Sequence, residues 1–168
     1  EQCFPHTIER MGEALKILGI TSVGSWWAFR LILFDCTTRR LPNRYTLSAA
    51  ACSFIWAVLT QHFEWILYAG IWVLPYVFIG SLSAMRGIGG GDIKLSMALG
   101  IVAAAHAGAQ GVVVASICSS CLSIVLGLIL RFLHSKRCNS TKYSNLPHGP
   151  SMIIATWFVV VWSQITPT

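Results

Sequence analysis

The sequence predicts an all-α integral membrane protein, a bundle of about six transmembrane helices with both termini outside the cytoplasm. Three observations support this fold class. Of the 168 residues, 55% are hydrophobic and 11% are charged, whereas a soluble domain carries roughly 25% charged residues. The apolar residues form several long runs, which are too many for a single secretory signal. The basic residues concentrate in alternate loops between these runs, as expected for an even number of membrane crossings.

Two parts of the chain differ in composition. Residues 1–18 form a predicted amphipathic N-terminal lead-in, and residues 19–168 form a predicted six-span membrane domain. In the lead-in, apolar residues recur at helical spacing with charged residues between them, which is typical of a helix lying on a membrane surface. These apolar residues are Ile8, Met11, Leu15 and Leu18.

Six apolar runs are predicted to cross the bilayer. They cover residues 19–34, 45–61, 64–84, 92–106, 111–133 and 149–164. Pro75 lies inside the third run and should kink that helix, because proline removes a backbone hydrogen bond. The fourth run is the shortest, since about 15 helical residues rise only ~22 Å, less than the ~30 Å of a hydrocarbon core.

Loop charges set the predicted orientation of these runs. Lys and Arg residues are found in loops 35–44, 84–94 and 131–148, whereas loops 61–64 and 107–110 contain none. Because basic loops remain in the cytoplasm, the first set is predicted to be cytoplasmic. The net charge of +6 is assigned to these loops and not to nucleic-acid binding, since no basic face with interleaved aromatic residues is present.

The six cysteines predict neither a metal site nor a redox centre. They are Cys3, Cys36, Cys52, Cys118, Cys121 and Cys138. Most lie in or beside apolar runs, where cysteine behaves as a small hydrophobic residue. The single C-x-x-C of Cys118 and Cys121 falls inside a predicted span and lacks the second pair that a zinc module requires. We expect no metal and no organic cofactor.

The chain contains two aspartates, and both are predicted to lie at the same end of the bundle. Asp35 ends the first run, and Asp92 opens the fourth run behind three glycines, Gly89, Gly90 and Gly91. The second and third runs between the two acids cross the membrane twice and return the chain to its starting face. Because glycine permits close approach of another backbone, we expect the backbone beside Asp92 to be accessible to another polypeptide chain.

Two carboxyl groups at a partly dry interface favour acid–base chemistry. Burial and a neighbouring like charge raise the pKa of one of them, so the pair can share a proton, as in the aspartic proteases. Other interpretations remain open at this point. The acids can be two helix caps, partners of basic neighbours such as Arg39 or Lys94, or parts of a proton or cation pathway.

Three short segments carry a resemblance to a known family. Asp35-Cys-Thr-Thr-Arg-Arg-Leu-Pro-Asn43 is similar to a D-x-x-x-x-R-I-P-N pattern, and Gly89-Gly-Gly-Asp-Ile-Lys94 is similar to a G-x-G-D-x-K pattern. Leu146-Pro-His-Gly-Pro150 is similar to an I-P-[FY]-G-P pattern before a last span. In this order the segments resemble the type IV prepilin peptidases, a family of intramembrane aspartyl peptidases of the G-x-G-D type. The resemblance covers about residues 24–165.

The resemblance implies roles for individual residues. Asp35 and Asp92 become the catalytic pair. The supporting positions are Gly89, Gly90, Gly91, Lys94, Pro42, Asn43, Pro147, Gly149 and Pro150. Pro42 should set an extended break before the second run, and Asn43 is suited to cap the helix that follows. Lys94 should either hold a carboxylate or lipid phosphate near the site or anchor the chain at the membrane interface.

The resemblance also implies a function. The protein is expected to be an aspartic endopeptidase of the bacterial cytoplasmic (inner) membrane, with the active site at the cytoplasmic face. It would cleave the leader of a prepilin or pseudopilin within the lipid bilayer, with both aspartates activating one water. Many family members also carry a four-cysteine N-terminal segment and methylate the new N-terminus. Since that segment is missing from this sequence, a peptidase-only enzyme of the tight-adherence (Flp) pilus type is expected.

Two further functions stay open. One is a non-catalytic membrane component of a pilus or secretion machine, and the other is a small proton-linked carrier. A carrier should show acids deeper in a span or internal repeats, and the sequence shows neither. The five histidines are interpreted as ordinary interfacial residues. They are His6, His62, His106, His134 and His148.

Overall fold

Helices fill nearly all of the chain that the computed structural model describes, which is residues 22–37, 42–82, 90–135 and 148–166. In these ranges α1 covers residues 22–37, and four helices follow. They are α2 (Asn43–Leu59), α3 (Phe63–Leu82), α4 (Gly90–Ser135) and α5 (Gly149–Ile165). The prediction of an all-helical fold is confirmed for these residues. The predicted lead-in over residues 1–18 lies outside the described residues.

The longest helix, α4, is broken in its middle. Ala107 (φ −141°, ψ 21°) and Gly108 (φ 59°, ψ −154°) leave helical geometry, and the positive φ of Gly108 is one that glycine adopts without strain. A β-carbon at Gly111 would lie 3.0 Å from the carbonyl oxygen of Ala103, although eight residues of continuous helix span ~12 Å. The chain therefore turns back on itself, and α4 is a helical hairpin.

The hairpin has two arms, an N-terminal arm over residues 90–106 and a C-terminal arm over residues 109–135. Its turn falls inside the loop 107–110 that separates the fourth and fifth predicted runs. Both α3 and α5 pack along α4, and α2 contacts both α3 and α4. The main core joins α1, α3, both arms of α4 and α5. Its buried members include Ala28, Leu31, Trp72, Leu95, Leu99, Val112, Met152 and Ile153.

One contact between α3 and the N-terminal arm brings two backbones together. A β-carbon at Gly100 would lie 2.9 Å from the β-carbon of Ala69 and 3.0 Å from its α-carbon. Ala57 of α2 packs beside it in a cluster with Ala69 and Ile101. We call Ala57, Ala69, Gly100 and Ile101 the tight seam. Small residues of this kind allow membrane helices to approach closely.

The distribution of side chains is the reverse of that in a water-soluble protein. Many buried positions carry small or hydroxyl side chains, including Ala50, Ala98, Ala104, Ala115, Ala155, Thr46, Ser53, Ser96, Ser119 and Thr156. Large apolar side chains instead cover the outer surface, including Trp26, Phe29, Leu59, Leu67, Phe78, Ile124, Phe132 and Ile165. An apolar surface this extensive is suited to contact with lipid and not with water.

Among the described residues, length and composition single out two stretches able to cross a membrane, Phe63–Ser81 in α3 and Gly90–Phe132 in α4. Helices α2 and α5 have 17 residues each, at the lower end of the range of about 17–25 residues for a membrane helix. The criteria of length and composition therefore select fewer segments than the number of membrane-crossing runs predicted from sequence, which was six. Pro75 lies inside α3, and the kink expected there stays a prediction.

Candidate active site

Asp35 is buried at the end of α1, with 5% of its surface exposed. Its Oδ2 accepts a hydrogen bond from the backbone N–H of Gly149 at 3.0 Å. Gly149 is the first residue of α5, and the first N–H groups of a helix have no partner within the helix and carry partial positive charge. The start of α5 therefore supplies the donor that a buried carboxylate requires.

Asp92 lies in the first turn of α4 and is half-buried. Its charge acts on Asp35, so the two carboxyl groups are close enough to influence each other's ionisation. Burial raises the pKa of the Asp35 carboxyl, the Gly149 N–H lowers it, Asp92 raises it again and His148 lowers it. The net effect is a pKa above the ordinary value, which favours retention of a proton at Asp35.

Lys94 and Asn43 join the second sequence segment to the first. Lys94 Nζ donates a hydrogen bond to Asn43 Oδ1 at 3.0 Å, which connects the start of α4 to the start of α2. Pro42 is extended (φ −64°, ψ 124°), as predicted, and is itself the N-cap of α2. The prediction that Asn43 caps this helix is wrong, because Asn43 is the first helical residue and its side-chain oxygen binds Lys94. Lys94 thus contacts a side-chain amide, and its predicted role in holding a carboxylate or lipid phosphate, or in anchoring the chain at the membrane interface, stays a prediction.

The glycine segment before Asp92 is open where the structure describes it. A β-carbon added at Gly90 would meet no atom within 4 Å, and Gly91 is half-buried. Pro150 is buried in the first turn of α5, where proline loses no helical hydrogen bond. Gly89 and Pro147 lie outside the described residues.

His148 was interpreted from sequence as an ordinary interfacial residue, yet it lies inside the site. Its Nε2 contacts the Tyr76 hydroxyl and its Nδ1 contacts Ser123 Oγ, each at 2.5 Å. Ser123 Oγ also contacts Ser151 Oγ. We call Tyr76, Ser123, His148 and Ser151 the imidazole cluster. Burial lowers the pKa of His148, and Asp35 opposes this effect.

An open cavity of about 510 Å³ borders the imidazole cluster between α3 and the C-terminal arm. Its lining is mainly apolar, with Trp72, Pro75, Ile79, Ile117 and Ile124 among its members. The Trp72 side chain is buried and interacts with the Tyr76 hydroxyl. A concave apolar site with few polar groups is typical of ligand binding.

Comparison with known proteins assigns the chain to a family. Residues 22–131, more than half of the chain, match the type IV leader peptidase family. The chain belongs to this family. One relative is the "Prepilin leader peptidase/N-methyltransferase" of Xanthomonas campestris pv. campestris, which is 33% identical over 97 residues. The match covers 58% of this chain and 31% of the relative, so this chain spans about a third of the relative's length. No solved structure matches the chain.

The family match contains Asp35 and Asp92 but ends before the third segment. The contribution of that segment to the site comes from the structure, in which Gly149 binds Asp35 and His148 lies beside it. The position of His148 within the third segment, where the family pattern has Phe or Tyr, is the sequence signal that could have identified it. Its partners Tyr76 and Ser123 belong to no segment and carried no such signal.

Proposed function

We propose that this leader peptidase family member is an intramembrane aspartyl endopeptidase that cleaves the leader peptide of prepilin-like precursors at the cytoplasmic membrane face. The observation that carries the proposal is the buried Asp35, which is held by the start of α5 and whose pKa is raised by burial and by the charge of Asp92. Family membership supports the reaction class, and the name of the Xanthomonas relative supports a prepilin as substrate.

In the proposed mechanism the two carboxyl groups take different roles. Asp35, whose pKa is raised, holds a proton and donates it to the carbonyl oxygen of the scissile peptide. Asp92, the more accessible acid, accepts a proton from water while the water oxygen bonds to the carbonyl carbon. The resulting diol collapses when Asp92 returns its proton to the amide nitrogen and Asp35 recovers its own. The C–N bond then breaks, and both carboxyl groups regain their starting states.

The membrane setting is part of the same proposal. Residues 19–168 form a six-span peptidase domain with both termini outside, and the hairpin turn at Ala107 and Gly108 supports two antiparallel crossings within α4. The basic leader of the precursor lies on the anionic inner leaflet. Because a helical peptide bond is satisfied internally, the substrate must unwind, and the open space at Gly90 gives its backbone access to Asp92.

The cavity beside the imidazole cluster offers a place for the unwound segment. The apolar lining of this cavity suits the hydrophobic stem that follows the leader.

A gel-shift cleavage assay tests the proposed function. A prepilin is co-expressed with the wild-type protein, with Asp35→Asn or with Asp92→Asn, and loss of the leader increases its mobility. We expect cleavage by the wild type and a loss of about 100- to 10,000-fold in each variant, because each removes one proton-transfer group. Glu64→Gln, which changes an exposed acid paired with His62, is the matched control and should cleave normally.

Two outcomes would contradict this assignment. Retained cleavage in either aspartate variant, at equal protein level in the membrane, would remove that residue from the chemistry. Absence of cleavage by the wild type across several precursors would instead favour a non-catalytic component of a pilus or secretion machine, or a proton-linked carrier.

A further inference from the structure

His148 connects three helices at the point where Asp35 is held. Its ring contacts Tyr76 on α3 and Ser123 on the C-terminal arm of α4. Its backbone carbonyl accepts hydrogen bonds from the Ser151 hydroxyl at 2.7 Å and from the Met152 N–H at 3.3 Å, both on α5. The side chain and the backbone of His148 are therefore both fixed.

The next peptide group carries the N–H that binds Asp35. Gly149 N–H, which donates to Asp35 Oδ2, belongs to the peptide bond between His148 and Gly149. A movement of His148 therefore rotates or displaces the donor of the buried carboxylate. No other hydrogen bond between the described residues links the imidazole cluster to Asp35 so directly.

The hydroxyl partners of the ring can satisfy it in either neutral tautomer. Nδ1 contacts Ser123 Oγ and Nε2 contacts the Tyr76 hydroxyl, and each hydroxyl can either donate or accept a hydrogen bond. A neutral imidazole, which has one donor and one acceptor nitrogen, satisfies both contacts, whereas an aromatic hydrocarbon ring at this position would satisfy neither.

We propose that His148 is a positioning residue for Asp35, which holds the Gly149 N–H on the carboxylate through its contacts with Tyr76 and Ser123. It thereby sets the pH range over which Asp35 exchanges a proton. The consequence for catalysis rests on the proposed function, but the contact between His148 and the carboxylate donor does not.

The direction of the effect follows from the groups that face the ring. These groups are Asp35 from α1, Tyr76 from α3, Ser123 from α4 and Ser151 from α5. Behind them, Asp92 and Ser119 of α4 act on the Tyr76 hydroxyl. The Gly149 N–H stabilises the ionised form of Asp35, so its loss raises the pKa of that carboxyl. Removal of the imidazole acts in the same direction, because His148 lowers the pKa of the Asp35 carboxyl.

Infrared titration of the purified protein in lipid nanodiscs tests the proposal. The carbonyl stretch of a protonated carboxyl group is followed against pH, and the Asp35 band is identified by its absence in Asp35→Asn. In His148→Phe and in Tyr76→Phe we expect the midpoint of this band to move upward by roughly one pH unit, the size of one hydrogen bond to a charged group. The pH profile of prepilin cleavage should move in the same direction.

Two variants control for the fold and for the loss of any histidine. His148→Gln keeps a hydrogen-bonding side chain without an ionisable group, so we expect a folded protein with a smaller shift. His106→Phe removes a ring whose Nδ1 contacts the carbonyl of Val102 in its own helix. This variant should leave the pH midpoint of the Asp35 band unchanged.

The infrared result decides the proposal even if cleavage fails. An unshifted Asp35 band in both Tyr76→Phe and His148→Gln would overturn the positioning role, including where His148→Phe does not fold. An upward shift without cleavage by the wild type would support the role of His148 and count against the proposed peptidase reaction. A shift of the same size in His106→Phe would show that the effect is unspecific and would overturn the proposal.

Discussion

Two regions along α4 are held together by different interactions. The tight seam joins the N-terminal arm to α2 and α3 through small apolar residues, and two backbones nearly touch at Gly100 and Ala69. The imidazole cluster joins the C-terminal arm to α3 and α5 through hydrogen bonds among Tyr76, Ser123, His148 and Ser151. Packing and hydrogen bonding are the two forces that remain between helices in lipid. In this protein they act in separate places.

The difference indicates a division of roles. The tight seam depends on shape, so it should be sensitive to the size of a side chain and indifferent to the chemistry of the site. The imidazole cluster depends on polarity and lies beside Asp35, so changes there should alter reactivity more than stability. One substitution in each region tests this division, and a contact outside both regions gives a baseline for the smallest effect.

The largest effect is expected from Gly100→Leu in the tight seam. A side chain at this position would collide with the β-carbon and backbone of Ala69, and overpacking of this kind costs about 3 kcal/mol. The expected result is a large fall in melting temperature in detergent or nanodiscs. Gly80→Leu is the matched control, because a β-carbon there would meet nothing within 4 Å. Equal melting of both variants would refute the importance of the tight seam.

A smaller effect is expected from Ser123→Ala in the imidazole cluster. The change removes the hydroxyl that contacts His148 Nδ1, and an unsatisfied buried polar group costs ~1–3 kcal/mol. Cleavage of a prepilin should fall by about tenfold, the equivalent of ~1.4 kcal/mol, with a small change in melting temperature. Ser53→Ala is the control, since Ser53 is equally buried but donates to Ala50 within its own helix. A similar loss of cleavage in Ser53→Ala would show that the imidazole cluster is no more important than another buried hydroxyl.

The smallest effect is expected at the contact between Lys94 and Asn43, which belongs to neither region. Asn43 is exposed and Lys94 half-buried, and exposed charged contacts contribute ~0.2–1 kcal/mol. Lys94→Ala and Asn43→Ala should each lower cleavage by about two- to fivefold. The double variant should be no worse than the more severe single variant. Fully additive losses would show that the two residues act independently.

Features that depend on local sequence could be predicted, whereas those that depend on long-range contacts could not. Hydropathy is a property of whole segments, so the helical runs and the turn near residues 107–110 were predictable, as was the extended Pro42. The capping role assigned to Asn43 failed because its partner Lys94 lies 51 residues away. Local capping preferences take no account of such a competitor.

In the candidate active site, too, contacts between residues distant in sequence could not be predicted. Asp35 and Asp92 were placed at one end by counting crossings, which needs no side-chain geometry. The donor to Asp35 comes from Gly149, 114 residues away, and the hydroxyl on His148 Nε2 comes from Tyr76, 72 residues away. A lone tyrosine in an apolar run has no local pattern that points to a distant imidazole. Only the packing of α3, α4 and α5 brings them together.

The turn at Gly108 has a consequence for how the length of this chain can change. Asp92 precedes Gly108 by 16 residues and Ser123 follows it by 15. The helix rise from Gly108 is therefore about 24 Å to Asp92 and about 22 Å to Ser123. One residue inserted within either arm would rotate everything beyond it by about 100° around the helix axis. Insertions and deletions are therefore compatible with the loops between helices. In the two arms, by contrast, the number of residues is fixed, because it determines where the side chains of Asp92 and Ser123 lie.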